Sequence, residues 1–231
     1  MSSMNTAQFD NARIRHLLKL GIFAACMVML GDILLGWGVS DPDVTEIPAV
    51  FTRYLSVSDG RIIASALLGL IGIPIECLCW FAVYRLIKPY SESDAHLFRG
   101  GIIGCLAFGG CGVHVPCCMA VYLLKRVYAA DPSSVYGEML PWIGWFLVPA
   151  TVLFMIFFIL TAAVQLRAFA KGQTPYPKWC AVFSLFAGVV WMIIMRLCGD
   201  HALTNALATG WISAANLWMM GGLLYMNRKV M

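Results

Sequence analysis

The sequence predicts an all-α membrane protein, a bundle of six transmembrane helices that forms one domain over residues 1–231. Six long apolar runs predict it, because about 20 apolar residues suffice for a helix to cross a bilayer. Only 12% of the residues are charged, against about 25% in soluble domains, and 61% are hydrophobic. The runs cover residues 18–39, 62–84, 101–124, 141–166, 179–197 and 204–226.

The elements follow in order along the chain. The first run has no small-x-small cleavage site, so it is read as a span and not as a removed signal. The longest loop, 40–61, has an apolar middle that fits a short helix on the membrane surface, serving either as a lid or as a plain connector. In the tight connection 198–201, Gly199 can end the fifth helix and Asp200 can cap the sixth.

Basic residues predict the orientation. If the N-terminus is inside, eleven of the sixteen Lys and Arg residues fall on the inner side, which is the side that Lys and Arg favour. Both termini are therefore expected in the cytoplasm, in a multi-pass protein of the plasma membrane. The eleven are Arg13, Arg15, Lys19, Arg85, Lys88, Arg99, Arg167, Lys171, Lys178, Arg228 and Lys229.

Three ionisable residues inside the apolar runs are the candidate catalytic residues: Asp32, Glu76 and His114. At 1.5 Å per residue, their positions in the runs place them within about 10 Å of one another along the membrane normal. A charge at mid-bilayer costs about 2.5–3.5 kcal/mol on insertion scales, so these side chains should face a shared polar interior. The alternative is that each side chain makes its own structural hydrogen bond and that the three do not form a shared site.

Prolines lie close to two of these residues. Pro116 removes the donor that would bond the carbonyl of Gly112, and Pro74 does the same two residues before Glu76. Pro149 repeats the pattern in the fourth run. Carbonyls freed in this way can bind water or a side chain, which favours a hydrated interior. On a regular helix, Cys111, His114 and Cys118 would share one face.

A divalent metal such as zinc is a further hypothesis for the same trio. Imidazole and carboxylate oxygens suit zinc, so Glu76, His114 and Asp32 could supply three ligands and leave a fourth position for water. Metal-bound water could then attack an ester or amide. No paired-histidine spacing on one helix supports the idea, so the signal is weak.

A second polar group lies near the predicted outer mouth and is the candidate substrate-binding set: Arg196, Asp200, His201 and Asn205. Arg196 and Asp200 are four residues apart, as are His201 and Asn205, so each pair can meet on one helix face. The group is either a cap with a surface ion pair or a site for a polar headgroup.

Several function classes are excluded by missing motifs. The sequence has no phosphate loop, so ATP does not drive this protein, and it has no Gly-x-Ser-x-Gly nucleophile elbow. The net charge of +4 comes with no basic stripe of interleaved aromatics, so nucleic acid is not a partner.

The sequence thus favours a membrane-embedded enzyme with an outward-opening polar pocket, acting on a lipid-like or apolar substrate by acid/base or metal-assisted hydrolysis. His114 suits proton transfer because imidazole ordinarily titrates near neutral pH. Two alternatives stay open: a small-solute or proton-coupled transporter, since buried acids and histidine build proton relays, and a non-catalytic protein that binds membrane lipid or a partner.

Overall fold

The computed structural model describes the backbone of residues 2–230 and the side chains of residues 10–229. The chain is 82% helical and this part contains no strands, which confirms the all-α class. Its α-helices are α1 (Ser2–Gly36), α2 (Ala49–Thr52), α3 (Asp59–Cys79), α4 (Phe81–Ile87), α5 (Glu92–Phe108), α6 (Val115–Ala130), α7 (Val135–Trp142), α8 (Val148–Ala170), α9 (Ala187–Leu197), α10 (Ala202–Thr209) and α11 (Trp211–Val230).

Four helical segments in the described residues are long and apolar enough to cross a membrane, and they indicate a membrane-embedded protein. The second, third and fourth segments extend beyond the corresponding predicted runs at both ends, because polar residues continue the helix, whereas the first begins before its run and ends at Gly36, three residues short of it. Large apolar side chains cover their outer surface; Trp145, for example, is 78% exposed. The segments are Asp10–Gly36, Asp59–Ile87, Glu92–Ala130 and Pro132–Ala170.

The connections 85–99 and 125–140, which follow the second and third apolar runs and were expected to be loops, are mostly helical. The chain turns within a few residues, because a capping side chain at each turn lets the next helix begin at once. The amide of Asp94 donates to Ser91 Oγ at 3.3 Å, and the amide of Ser133 donates to Asp131 Oδ1 at 2.9 Å. Hydropathy marks the apolar part of a helix and not its ends, so the sequence placed these loops too broadly.

The fifth apolar run, 179–197, is not the single helix that was predicted. It begins as a 3₁₀ turn and resumes as α9, whose 11 residues rise about 16 Å and fall short of a crossing. Gln165 of α8 supplies the reason: its amide nitrogen donates to the Phe183 carbonyl at 2.9 Å, and its oxygen accepts from the Leu185 amide at 3.1 Å. The backbone between these residues therefore needs no helical partners.

The sixth run is also interrupted, at Gly210 between α10 and α11. A side-chain carbon added at Gly210 would lie 3.4 Å from Cβ of Asp32 and would overlap the sulfur of Met29. Glycine therefore allows the backbone of the sixth run to approach α1 at the level of Asp32. The break in the sixth run at Gly210 and the buried Asp32 side chain therefore lie next to each other.

Charged pairs gather at two opposite ends of the helices. At one end Arg85 bonds Asp10 at 2.7 Å and Arg167 bonds Asp94. At the other end Lys125 bonds Asp59 at 2.8 Å. The hydrocarbon-length apolar segments lie between these two polar ends.

Helix α1 positions the interior polar residues, since it packs against α3, α4, α10 and α11. Small residues let α3 approach it closely: a side chain added at Gly31 would meet the Ser65 carbonyl at 3.2 Å, and one at Gly72 would meet Val28 at 2.6 Å. Close approach through small residues is the usual way in which membrane helices associate.

Candidate functional site

The three predicted catalytic residues line one cavity of about 230 Å³ inside the bundle. Asp32 comes from α1, Glu76 from α3, and His114 from the junction of α5 and α6. Their residues are 8%, 2% and 8% exposed, so all three are buried. The structure therefore brings together, around one space, groups that are far apart in the sequence.

A π-helical turn, Gly109–His114, holds His114 in the cavity wall. It ends where the amide of Val115 donates to the carbonyl of Gly110, just before Pro116. Opposite it, α3 has a glycine: a side-chain carbon at Gly69 would overlap the imidazole ring. The turn and the missing side chain together make room for the histidine against α3.

The π-helical turn also corrects one prediction. Cys111, His114 and Cys118 were expected on one face, but the turn changes the helical register, and Cys111 is exposed while the other two are buried. Cys118 Sγ donates to Ser65 Oγ at 3.5 Å, and the same hydroxyl lies 3.4 Å from His114 Nε2. Cys111 is therefore not part of the site.

The backbone of Ser65 fixes the tautomer of His114. Nε2 lies 2.9 Å from the Ser65 carbonyl oxygen. Because a carbonyl only accepts, Nε2 carries the hydrogen, and Nδ1 of the neutral ring presents a lone pair. That lone pair faces Asp32 Oδ1 at 3.7 Å.

The Asp32 side chain is held in place by a residue of the sixth apolar run. The Ser213 hydroxyl donates to its Oδ2 at 2.9 Å, which leaves Oδ1 directed at His114. Two lone pairs that face each other repel, so a proton on one of the two groups stabilises the pair. The distance exceeds a direct hydrogen bond, and a water or a substrate hydroxyl in the cavity can bridge the two groups.

Glu76 is the least satisfied member of the trio. Its Oε1 is buried without a well-formed hydrogen bond, and so is Nδ2 of Asn216, although the Asn216 amide lies close enough to interact with the Glu76 carboxyl. The Asn216 oxygen accepts from Trp80 Nε1 at 2.6 Å, which fixes the amide in place. A buried polar atom without a partner costs about 1–3 kcal/mol, so this side of the cavity favours a polar guest.

Sequence reasoning gave no role in the site to four residues: Ser65, Ser213, Trp80 and Asn216. One signal was available on α3, where Ser65, Gly69, Gly72 and Glu76 recur at helical spacing and are all buried. A stripe of small and polar residues of this kind marks the face that turns to the interior. Ser213 carries no comparable signal.

The trio does not form a metal centre as arranged. Among the side chains of residues 10–229, no group of three or more His, Cys, Asp or Glu residues is placed to hold an ion. One ring nitrogen of His114 is already bonded to a backbone carbonyl. The side chains alone account for the chemistry proposed for this site.

An apolar cavity of about 400 Å³ adjoins the polar one. The two share three wall residues: Leu35, Cys117 and Thr209. The rest of the apolar wall comes from the loop 40–61 with α2, from α6 and α7, and from the turn that follows α7, and it includes Phe51, Tyr54, Val121, Met139 and Ile143. A molecule that spans both spaces would place a polar group beside the acids and an apolar group beside α7.

Three of the four predicted substrate-binding residues, Arg196, Asp200 and Asn205, meet at the end of the bundle that was predicted to be the outer one, and with Arg53 they form the group named the outer cluster. Asn205 is 3% exposed and joins them: its oxygen accepts from Arg196 Nη1 at 3.2 Å, and its nitrogen donates to Asp200. Asp200 was predicted to cap α10, but His201 occupies that position. His201 therefore serves the helix end and does not join the other three.

Asp200 instead ties the outer loop to the bundle, because the Ser40 amide donates to its Oδ2 at 3.1 Å. The hydrogen bonds from Asn205 and Ser40 hold the pKa of Asp200 below its ordinary value of 3.8. The Arg53 charge lowers it further. Asp200 is therefore a carboxylate at neutral pH.

Arg53 belongs to the outer cluster, although sequence reasoning gave it no role. It is only 5% exposed; Nη1 donates to Asn205 at 3.2 Å and Nη2 donates to the Tyr54 hydroxyl at 2.8 Å. Its Nε is buried without a partner. Arg53 and Arg196 thus direct two positive charges at one neutral amide oxygen, where an anion would be stabilised.

Comparisons with known proteins place the chain in one family. Residues 4–230 match the model of a Family of unknown function (DUF6796). The chain belongs to this family. The match covers both polar clusters, so the DUF6796 member described here contains them within the family region. Neither the curated proteins nor the solved structures gave a match.

The arrangement in this DUF6796 protein can move protons. His114 Nδ1 can take one, Asp32 can hold one beside it, and Glu76 adds a second carboxyl on the same cavity. The Asn216 amide interacts with the Glu76 carboxyl and can stabilise negative charge there. These are the parts that general acid–base catalysis requires.

Proposed function

We propose that this protein is a membrane-embedded enzyme that hydrolyses a lipid-like substrate by acid–base catalysis. The observation that carries the proposal is the join of the polar cavity to the apolar one through Leu35, Cys117 and Thr209. A lipid-like molecule has the same division into a reactive polar group and an apolar chain. Each part would occupy the cavity that matches it.

In the proposed reaction, His114 Nδ1 takes a proton from a water molecule, whose oxygen attacks the carbonyl carbon of an ester or amide. Asp32 stabilises the resulting imidazolium from 3.7 Å. Glu76, in its protonated form, gives its proton to the leaving oxygen or nitrogen as that bond breaks. The His114 proton then passes to Glu76 through water, which restores both groups.

The outer cluster would hold the polar end of the substrate, with Arg53 and Arg196 as the charged contacts. Helix α10 joins the two places: Asn205 lies in the cluster, and Thr209, one turn further, lines both cavities. The Thr209 hydroxyl donates to the Asn205 carbonyl at 2.8 Å, which keeps this turn regular. An anionic or strongly polar headgroup suits two guanidinium groups.

The test uses purified protein and a library of ester- and amide-linked lipids. Turnover should occur with a subset of the library and fall sharply in Glu76→Gln and Asp32→Asn. Cys111→Ser is the matched control, because Cys111 lies on the same π-helical turn but is exposed. No turnover of any lipid by the unaltered protein, or equal turnover in all variants, would refute the proposal.

We also propose six membrane crossings, the fifth made by the 3₁₀ turn together with α9 and the sixth by α10 together with α11. Both termini would lie in the cytoplasm, and the outer cluster would lie at the opposite face of a plasma membrane. The separation of the Asp10–Arg85 and Asp59–Lys125 pairs at two ends supports it. In a Cys198→Ser background, a membrane-impermeant maleimide added to intact cells should label Ser133→Cys and spare Lys171→Cys. Labelling of Lys171→Cys, with Ser133→Cys left unlabelled, would show that the protein has the opposite orientation.

A second candidate function is a proton-coupled carrier. The interruption at Gly210 beside Asp32 favours it, because broken helices at mid-membrane often surround the binding sites of transporters. Uptake of a solute into proteoliposomes that depends on a pH gradient and is lost in Asp32→Asn would select the carrier. Lipid turnover without uptake would select the enzyme. If neither activity is found, the protein would be one that binds a lipid or a partner.

A further inference from the structure

Three arginines from three helices meet around a separate cavity of about 480 Å³ at the end opposite the outer cluster. They are Arg13 of α1, Arg85 of α4 and Arg99 of α5, and apolar side chains complete the wall. This cavity shares no residue with the polar or the apolar cavity described above. It is independent of the proposed catalytic chemistry.

The charge in this cavity is not balanced by the side chains of residues 10–229. Asp10 neutralises Arg85 at 2.7 Å, but Arg13 and Arg99 make no ion pair or side-chain hydrogen bond with any described side chain. Guanidinium groups that converge on one space repel one another, and a bound anion removes the repulsion. The planar donors of arginine match the oxygens of a phosphate.

The apolar residues of the wall indicate which kind of anion fits this cavity. Leu17, Leu78 and Phe81 line the same cavity, and Leu78 is 48% exposed on the outer surface of the apolar segment. The cavity therefore has a charged part at the end of the bundle and an apolar part that continues onto the lipid-facing surface. A free phosphate would use only the first part.

We infer that this cavity binds one anionic phospholipid, with its phosphate at Arg13 and Arg99 and the start of its acyl chains against Leu17 and Leu78. Basic pockets between helices at the cytoplasmic surface are suited to anionic headgroups. The site would hold a structural or regulatory lipid, distinct from any substrate at Asp32, Glu76 and His114.

The test measures thermal unfolding of the full chain in a neutral detergent while a short-chain lipid is titrated. Short-chain phosphatidylglycerol should raise the unfolding temperature in a saturable way, and phosphatidylcholine should not. The double variant Arg13→Gln/Arg99→Gln should bind phosphatidylglycerol about 30-fold more weakly, as loss of two basic contacts predicts. Lys171→Gln/Arg228→Gln removes the same charge at the same end and should bind normally.

Further arms make the result decisive. Arg13→Lys/Arg99→Lys keeps the charge and guards against a variant that fails to fold; intermediate affinity is expected from it, because lysine lacks the planar donors. Equal binding in the glutamine double variant and the control would overturn the proposal. So would equal effects of both lipids, or saturation by inorganic phosphate at the same concentration, which would make the ligand a free anion.

Discussion

Two π-helical turns in this protein have the same local sequence feature and opposite surroundings. Gly109–His114 and Ile143–Leu147 each lead into a helix that has proline in its first turn. The first turn buries Gly109, Gly110 and His114. The second buries no residue.

The difference shows that backbone irregularity alone does not make a site. In both turns proline removes a donor, and the helix widens to find another partner. Only the first turn faces a helix that has made room for it, through Gly69 and the carbonyl of Ser65. The second turn presents Trp145 and Phe146 to the outside, at 78% and 65% exposure.

The sharpest way to test this comparison is one substitution in each turn. His114→Gln should lower lipid turnover by roughly 10²–10⁴-fold, the usual contribution of a general acid or base. Trp145→Ala should leave turnover within a few-fold of the unaltered protein, since its side chain faces away from both cavities. Initial rates with the best lipid of the library measure both, and equal losses would show that the two turns are not functionally different.

The prolines allow a matched test of the backbone. Pro116→Ala restores a donor for the Gly112 carbonyl, so the first turn should relax toward a regular helix and displace His114. A displacement on the order of 1 Å lowers rates by about 10²-fold. Pro149→Ala should change the second turn in the same way with a much smaller loss of activity, because Ile143 and Leu147 of this turn line only the apolar cavity. Unchanged turnover in Pro116→Ala would mean that the glycines alone maintain the turn.

A glycine-to-alanine pair tests the fit between α3 and His114. Gly69→Ala places a carbon against the imidazole ring and should lower the free energy of unfolding by about 1–3 kcal/mol, as overpacking does. Gly144→Ala, in the second turn, meets nothing within 4 Å and should be neutral or slightly stabilising. Thermal unfolding in detergent measures both, and a stabilised Gly69→Ala would contradict the described packing.

The smallest expected effect concerns the outer cluster and pH. Because the pKa of Asp200 is lowered in the folded protein, its stabilising contribution is present above the ordinary value of 3.8 and is lost as pH falls through the lower folded value. Asp200→Asn should therefore flatten the fall of the unfolding temperature below about pH 4. Asp41→Asn, in the exposed loop 40–61 that Asp200 contacts through Ser40, should keep the fall unchanged. A steep fall in both variants would assign the acid sensitivity elsewhere.

The sequence was sufficient for the fold class and for the four long apolar segments, because hydropathy over about 20 residues reports burial in lipid directly. It was also sufficient to select Asp32, Glu76 and His114 as interior residues, since charge in hydrocarbon is costly wherever it occurs. These predictions depend on composition and position, which any single chain displays.

The sequence was insufficient where a distant side chain decides local backbone structure. Gln165, which lies in the neighbouring helix α8, interrupts the helix of the fifth run through its hydrogen bonds, and nothing in residues 179–197 predicts this. The burial of Arg53 depends in the same way on Asn205, which lies 152 residues away. Pro116 indicated an irregular helix, but its form as a π-helical turn, and so the exposure of Cys111, required coordinates.

The join at Leu35, Cys117 and Thr209 has a consequence for selectivity. Under the proposed function, the apolar cavity, whose wall includes Val135 and Met139, would limit the length of the chain that fits beside the reacting groups. Chains short enough to end before α7 fit wholly inside, while longer ones must bend or leave part of their length in the bilayer. The protein would therefore select its substrates by tail length as well as by headgroup, with the choice set by residues that take no part in bond breaking.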